Sequence, residues 1–172
     1  MEITFRACGL HDLELLQKIS TSTFMDAFEK QNDPIDFQSY LTKAFSKEQL
    51  QRELENENAR FYFVETTKEL VGYLKVNTGQ AQSELRESGA MELERIYVIA
   101  AFQGKGLGKR MLSFAEELAV KEGKTYLWLG VWEKNQGAIR FYTRNGYQHF
   151  GTHPYYIGKD KQTDWLLKKE LK

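Results

Sequence analysis

The segment from Ala100 to Leu112, AAFQGKGLGKRML, places three alternate glycines beside basic residues and at the start of an apolar helical pattern. The glycines are Gly104, Gly106 and Gly108. Glycine has no Cβ, so a ligand can approach its main chain closely. The first amides of a helix lack intrahelical partners and carry about half a positive charge. The spacing therefore predicts a phosphate-binding turn, although a turn that only allows tight strand-to-helix packing is the alternative interpretation.

Two common phosphate motifs do not fit this segment. In a P-loop the two glycines stand further apart than Gly104 and Gly108, and Ser or Thr follows the lysine, whereas Arg110 follows Lys109 here. The Rossmann pattern G-x-G-x-x-G also fails. We expect Lys105, Lys109 and Arg110 to add positive charge to the rim of the turn.

The elements around the turn predict an α/β domain. The chain has 172 residues, which suits one domain spanning residues 1–172. Hydrophobic periodicity gives the order strand, helices, three strands, helix, strand, helix and a final pair of strands. Asp33 before Pro34, and Ser46 three residues before Gln49, predict two helix N-caps. A further helix is expected to begin at Ala138. This order favours one mixed sheet covered by helices.

Composition excludes several classes of function. The formal net charge is zero, so no global field favours nucleic acid or an anionic membrane. Cys8 is the only cysteine, and His11, His149 and His153 lack metal-ligand spacing, so we expect no disulfide and no metal site. The first residues do not resemble a signal peptide, and no apolar run matches a membrane span, so a cytoplasmic protein is expected.

Two motifs resemble those of the GCN5-related N-acetyltransferases (GNAT). Residues 103–108, QGKGLG, are similar to the family's Q/R-x-x-G-x-G/A motif, whose loop binds the pyrophosphate of acetyl-CoA. Downstream, WLGVWEKNQGAIRFYTRNGY resembles a second motif, which falls on Asn135, Ala138, Tyr142 and the pair Gly146-Tyr147. The resemblance implies the GNAT fold, which is a single mixed, mostly antiparallel sheet of about seven strands, flanked by helices and splayed at its central parallel strands.

A closer similarity is to the bacterial spermidine/spermine N-acetyltransferases of the Pai type. It is carried by STFMDAF, QSE, LERIYV, WLGVWEKN and QTD. This resemblance implies direct transfer of acetyl from acetyl-CoA to a primary amine of a polyamine in a ternary complex, without a metal. Another small amine or a protein N-terminus stays open as the acceptor, and so does a non-catalytic acyl-CoA-binding regulatory protein. We expect no nucleic-acid or membrane partner, and homodimerisation stays open.

The resemblance also implies a set of site residues. The main chain around Ile96 and Val98 is expected to hold the pantetheine like an added strand. Tyr142 is the expected acid for the departing thiolate, and Asn135 is expected to bind the cofactor arm or to cap a helix. The residues expected to bind acetyl-CoA are Ile96, Tyr97, Val98, Gln103, Gly104, Lys105, Gly106, Leu107, Gly108, Lys109, Asn135 and Tyr142.

Two glutamates complete the predicted chemistry. Strand alternation places Glu92 and Glu94 on one face with Ile96 and Val98. The carboxylates either lie at the wet end of the strand, pairing with a basic neighbour, or act as a base, directly or through water, that also attracts a cationic amine. Two acidic stretches are candidates for an acceptor channel, although solvated faces are the alternative. They comprise Glu84, Glu87, Glu92 and Glu94, and Asp26, Glu29, Asp33 and Asp36.

Overall fold

The computed structural model describes residues 1–172 as one seven-stranded sheet with five α-helices. The strands are β1 Thr4–Ala7, β2 Ala59–Glu65, β3 Leu70–Asn77, β4 Ala90–Val98, β5 Tyr126–Trp132, β6 Gln148–Ile157 and β7 Asp160–Glu170. The helices are α1 Leu13–Phe28, α2 Pro34–Ala44, α3 Lys47–Glu55, α4 Leu107–Lys121 and α5 Gln136–Arg144. No helix is both long enough and apolar enough to span a membrane.

The sheet has the order β1-β2-β3-β4-β5-β7-β6, and only the central pair β4 and β5 is parallel. That pair is in register only from Ala90 to Glu92, opposite Tyr126 to Trp128. Beyond these residues the two strands separate, which leaves one edge of β4 without a neighbouring strand. The predicted mixed and mostly antiparallel sheet is therefore confirmed, and the splay lies between Glu92 and Trp128.

Local capping explains where three helices begin. The Asp33 carboxylate accepts hydrogen bonds from the amides of Ile35 and Asp36 at 3.1 and 3.0 Å, and Ser46 Oγ accepts one from the amide of Gln49 at 3.1 Å. Such a cap contributes about 1 kcal/mol. Both predicted N-caps are confirmed. Helix α5 begins at Gln136 rather than at Ala138, because Asn135 provides its cap.

The helices pack on both faces of the sheet. On one face, Met111 and Leu112 of α4 are buried against Leu74 and Leu93 of the central strands. On the other, helices α1 to α3 cover a second buried cluster. That second cluster is largely aromatic, and its buried rings are Phe24, Phe37, Phe45, Phe61, Phe63 and Tyr73. The central strands, which border the splay, are thereby packed against helices on both faces.

A β-bulge in β4 corrects the predicted placement of the two glutamates. Lys75 of β3 lies opposite Arg95, whereas Val76 lies opposite Leu93, so Glu94 is an extra residue in the strand. The bulge reverses the alternation of side chains beyond it. Ile96 consequently packs with the α4 cluster, as Leu93 does. The prediction that Glu92 and Glu94 share a face with Ile96 and Val98 was therefore wrong.

Candidate active site

A cleft of about 980 Å³ opens where β4 and β5 separate. One end is formed by the free edge of β4, the glycine turn and α5. The other end, which we call the acceptor end, is formed by α1 and Asn32 after it, Glu94 in the first part of β4, the carboxyl end of β5, and the hairpin of β6 and β7. The predicted glycine turn and the predicted helix of the second motif are thus brought to one cavity.

The glycine turn leaves the start of α4 open. Gly104 and Gly106 have φ angles of 77° and 79°, and Gly106 is the N-cap of α4, where no side chain caps the amides. A Cβ at either position would meet nothing within 4 Å. Tight packing therefore does not explain these two glycines. Gly106, Leu107 and Gly108 line the cleft, so the start of α4 lies at the cavity, as a phosphate-binding site requires.

The free edge of β4 offers main-chain hydrogen-bonding groups. The amide of Ile99 donates to the Val71 carbonyl of β3 at 2.9 Å. Since successive strand residues direct their polar groups to opposite edges, Val98 and Ile96 direct theirs toward the splay. Gln103 Nε2 donates to the Val98 carbonyl at 3.0 Å and so ties the glycine turn to the strand. The edge and the turn suit an extended ligand that ends in a pyrophosphate.

The basic residues of the rim are only partly arranged as predicted. Lys109 lines the cleft. Lys105 lies with its Nζ 5.4 Å from the centre of the Phe102 ring, and Arg110 Nη1 donates to the Met1 carbonyl at 2.7 Å, so neither lines the cleft. Arg144, at the end of α5, lines the cleft although the sequence analysis did not select it. Hydrophobic periodicity predicts which residues face the core, but it does not predict the direction of an exposed basic side chain.

Helix α5 positions Asn135 and Tyr142. The Asn135 side chain accepts a hydrogen bond from the Ala138 amide at 3.2 Å, which confirms the predicted cap. Tyr142 is 8% exposed and lines the cleft, with its ring held edge-on against Phe141 and Tyr147. Burial alone raises the pKa of Tyr142 above its ordinary value, so the phenol carries its proton at neutral pH.

Glu94 lines the cleft as part of a buried ion-pair network. Its Oε1 accepts hydrogen bonds from Lys75 Nζ at 2.9 Å and from Asn77 Nδ2 at 2.7 Å, and Arg95 lies 3.3 Å from its other oxygen. Glu53 shares both cations. Although burial opposes the shift, the charges of Arg95 and Lys75 and their hydrogen bonds hold the pKa of Glu94 at about 2. Glu94 is therefore a fixed negative charge.

Glu92 lies behind Glu94 and does not line the cleft. It is 3% exposed, and it accepts hydrogen bonds from Asn77 Nδ2 at 3.0 Å, from the Ser83 amide at 2.8 Å and from Ser83 Oγ at 2.5 Å. Burial, with the nearby charge of Glu94, raises the pKa of Glu92. These contacts fasten the loop before β4 to the sheet.

The two acidic stretches do not form one channel. Of their eight carboxylates, only Asp26 and Glu94 line the cleft. Asp33 caps α2, and Glu84 lies 2.8 Å from His153. Proximity along the chain was misleading here, because residues on strands, caps and loops point in different directions.

The acceptor end also contains residues that the sequence analysis did not select. Phe28 of α1 lies edge-on to Trp132 of β5, with ring centres 6.5 Å apart, and Tyr155 of β6 lines the same cleft. Asp164 of β7 adds a carboxylate. Phe28, Trp132 and Asp164 occur in the sequence analysis only within STFMDAF, WLGVWEKN and QTD, the segments that carry the closer resemblance. No local pattern predicts that β7 returns next to β5.

Comparison with known proteins agrees with this geometry. Residues 21–147 match the model of the acetyltransferase (GNAT) family. An uncharacterized N-acetyltransferase in the pepI 3' region of Lactobacillus delbrueckii subsp. lactis is 42% identical over 160 residues, which are 93% of this chain and 92% of that protein. The spermine/spermidine N(1)-acetyltransferase of Bacillus subtilis is 34% identical over 84 residues, covering 48% of this chain and 55% of that protein.

A solved structure shares the whole fold. The crystal structure of PaiA N-acetyltransferase from Thermoplasma acidophilum in complex with coenzyme A superposes with a TM-score of 0.77 at 22% identity, covering 99% of each chain. Because the family model spans most of the chain and the cleft has the matching motifs, the protein belongs to the GNAT acetyltransferase family and is an N-acetyltransferase that uses acetyl-CoA.

Proposed function

We propose that this enzyme acetylates a primary amine of a polyamine such as spermidine or spermine, by direct attack on acetyl-CoA in a ternary complex. The observation that carries the proposal is the charge of the acceptor end. Three carboxylates, Asp26, Glu94 and Asp164, line that part of the cleft. The only basic residues lining the cleft are Lys109 and Arg144, at the end formed by the glycine turn and α5. Such a separation favours a cationic acceptor beside an anionic cosubstrate.

The aromatic walls of the acceptor end support the same class of substrate. Polyamines alternate ammonium groups with short methylene chains. The methylenes can pack on Phe28, Trp132 and Tyr155, and an ammonium over an aromatic face gains about 0.5–2 kcal/mol. Relatives named for spermidine or spermine acetylation, which are 24–34% identical to this chain, support the proposal further.

We assign the roles within the cleft as follows. The open amides of α4 and the charge of Lys109 bind the pyrophosphate, and the main chain of Ile96 and Val98 holds the pantetheine. A main-chain amide at that edge polarises the thioester carbonyl. Tyr142 donates a proton to the departing thiolate. Glu94 attracts the ammonium as a fixed charge, and Lys105 stays a predicted contact of the cosubstrate.

The proposal is tested by measuring coenzyme A release from acetyl-CoA with and without spermidine, and by identifying the product by mass spectrometry. We expect release that depends on spermidine, together with monoacetylated spermidine. Release that occurs only with other amines or with peptide N-termini would contradict the polyamine assignment. Tight acetyl-CoA binding without release for any acceptor would indicate a binding protein instead.

A further inference from the structure

The structure assigns Asp164 as the base that takes the proton from the attacking amine, an inference that rests on the proposed amine acetylation. Asp164 lies on β7, opposite Trp132 of β5 and His153 of β6. It lines the cleft at the acceptor end. Among the three carboxylates there, Asp26 is exposed to solvent and Glu94 is held by Lys75 and Asn77.

The position of Asp164 relative to the splay supports this role. A Cβ built on Gly130 of β5 would lie 3.2 Å from Asp164 Oδ2, so the carboxylate occupies the space above that glycine. Gly130 is two residues beyond Trp128, the last residue of β5 that pairs with β4. The carboxylate therefore lies where the two strands begin to separate. This is the point at which an extended ligand on the free edge of β4 meets an acceptor from the other end.

The surroundings of Asp164 suit proton transfer at neutral pH. Its carboxylate is only partly buried, and no side chain or amide of the protein donates a hydrogen bond to it. Burial raises the pKa of Asp164 to about 6, while the charge of His153 opposes that shift. The other titratable groups of this region are Glu84, which pairs with His153, and Asp26, Glu94 and Tyr155, which line the same cleft. A base with a pKa near the working pH transfers protons efficiently.

The reaction consumes an ammonium substrate and acetyl-CoA. An ammonium substrate gives one proton to Asp164 Oδ2, and the freed nitrogen lone pair attacks the thioester carbonyl carbon. The C–N bond forms, the C–S bond breaks, and the sulfur takes a proton from Tyr142. The second proton of the nitrogen restores the Tyr142 phenol, and Asp164 releases its proton to solvent. The products are the N-acetylated amine, coenzyme A and one proton.

The test is the pH dependence of kcat for wild type, Asp164→Asn and Asp26→Asn. We expect kcat of the wild type to fall about tenfold per pH unit below pH ~6. Asp164→Asn should lower kcat about 10²–10³-fold. Its pH profile should lack the break, which is the change of slope of kcat near pH ~6. The variant should bind coenzyme A with unchanged affinity. Asp26→Asn removes the same charge from the cleft and should raise KM for polyamines while keeping the break. Gly130→Ala, which displaces the carboxylate without removing it, should give an intermediate loss.

The competing assignment is the predicted base at Glu94 or Glu92. A kcat of Asp164→Asn within threefold of wild type, or a break that persists in that variant, would overturn the role of Asp164. If spermidine is not a substrate, the polyamine proposal fails, and the same profiles are recorded with whichever primary amine turns over. If no amine does, they are recorded on the slow hydrolysis of acetyl-CoA, in which water must lose a proton at the same place.

Discussion

At the scale of single residues, three carboxylates in or behind the cleft differ in their surroundings. Glu94 is ionised by its two cationic neighbours, Glu92 is buried behind it, and Asp164 stands without a partner over Gly130. The environment of each carboxylate, rather than its type, determines whether it supplies charge, structure or proton transfer.

Replacing Tyr142 with Phe removes the phenol and keeps the ring against Phe141 and Tyr147. We expect kcat to fall about 10²-fold, because the thiolate then leaves without a proton donor. The dissociation constant of coenzyme A and the melting temperature should change little. Steady-state kinetics, calorimetric binding and thermal unfolding measure these three quantities. A kcat within twofold of wild type would place the proton donor elsewhere.

Glu94→Gln is compared with Glu53→Gln, since both carboxylates neutralise Lys75 and Arg95 but only Glu94 lines the cleft. Each variant should lose about 3 kcal/mol of unfolding free energy, because a buried cation loses a partner. Glu94→Gln alone should also lower kcat/KM for spermidine, by about tenfold. Equal losses of kcat/KM in the two variants would limit Glu94 to a structural role.

The stability effect of Glu94 should also depend on pH. Its folded pKa of about 2 lies below the ordinary value of 4.5, so its contribution is complete above pH 4.5 and is lost as the pH falls toward 2. Chemical unfolding should therefore show the difference between wild type and Glu94→Gln shrinking over that range. A constant difference would contradict the shifted pKa.

At the scale of elements, we propose that the start of α4 is the main element that binds the cosubstrate. Gly106→Ala and Gly123→Ala form a matched pair, since both glycines have positive φ, 79° and 73°, and neither Cβ would meet an atom within 4 Å. Each substitution should cost about 1–2 kcal/mol of stability. Only Gly106→Ala should weaken acetyl-CoA binding, by about tenfold or 1.4 kcal/mol. Titration calorimetry measures the affinity for acetyl-CoA. If Gly106→Ala binds acetyl-CoA as tightly as Gly123→Ala does, the turn is not the pyrophosphate site.

Much of the secondary structure was predictable from the sequence, because helix caps and strand alternation depend on residues that are close together in the chain. Asp33 and Ser46 cap the helices expected of them, and the strands follow the apolar alternation. The bulge at Glu94 was not predictable, because it depends on the register between β3 and β4. Asp164, which we propose as the base, was not selected from the sequence for a related reason. Its importance depends on β7 lying beside β5, a contact between distant parts of the chain.

At the scale of the whole molecule, the open sheet separates two kinds of charge. The net charge is zero, but the acceptor end of the cleft is acidic and the end at the glycine turn is basic. Electrostatic attraction of an acceptor must therefore come from the charges that line the cleft. Salt at physiological strength screens charges that are more than about 8 Å apart. This arrangement links the separation of β4 and β5 to the polycationic substrate that we propose.

The central claim is tested most directly by kcat/KM for spermine, spermidine, putrescine and butylamine at low and at physiological ionic strength. We predict that kcat/KM falls in that order as the number of positive charges falls, and that added salt narrows the differences. The KM for acetyl-CoA, which depends on the other end of the cleft, should change less with salt. Butylamine accepted as well as spermidine at low salt would contradict the polyamine assignment.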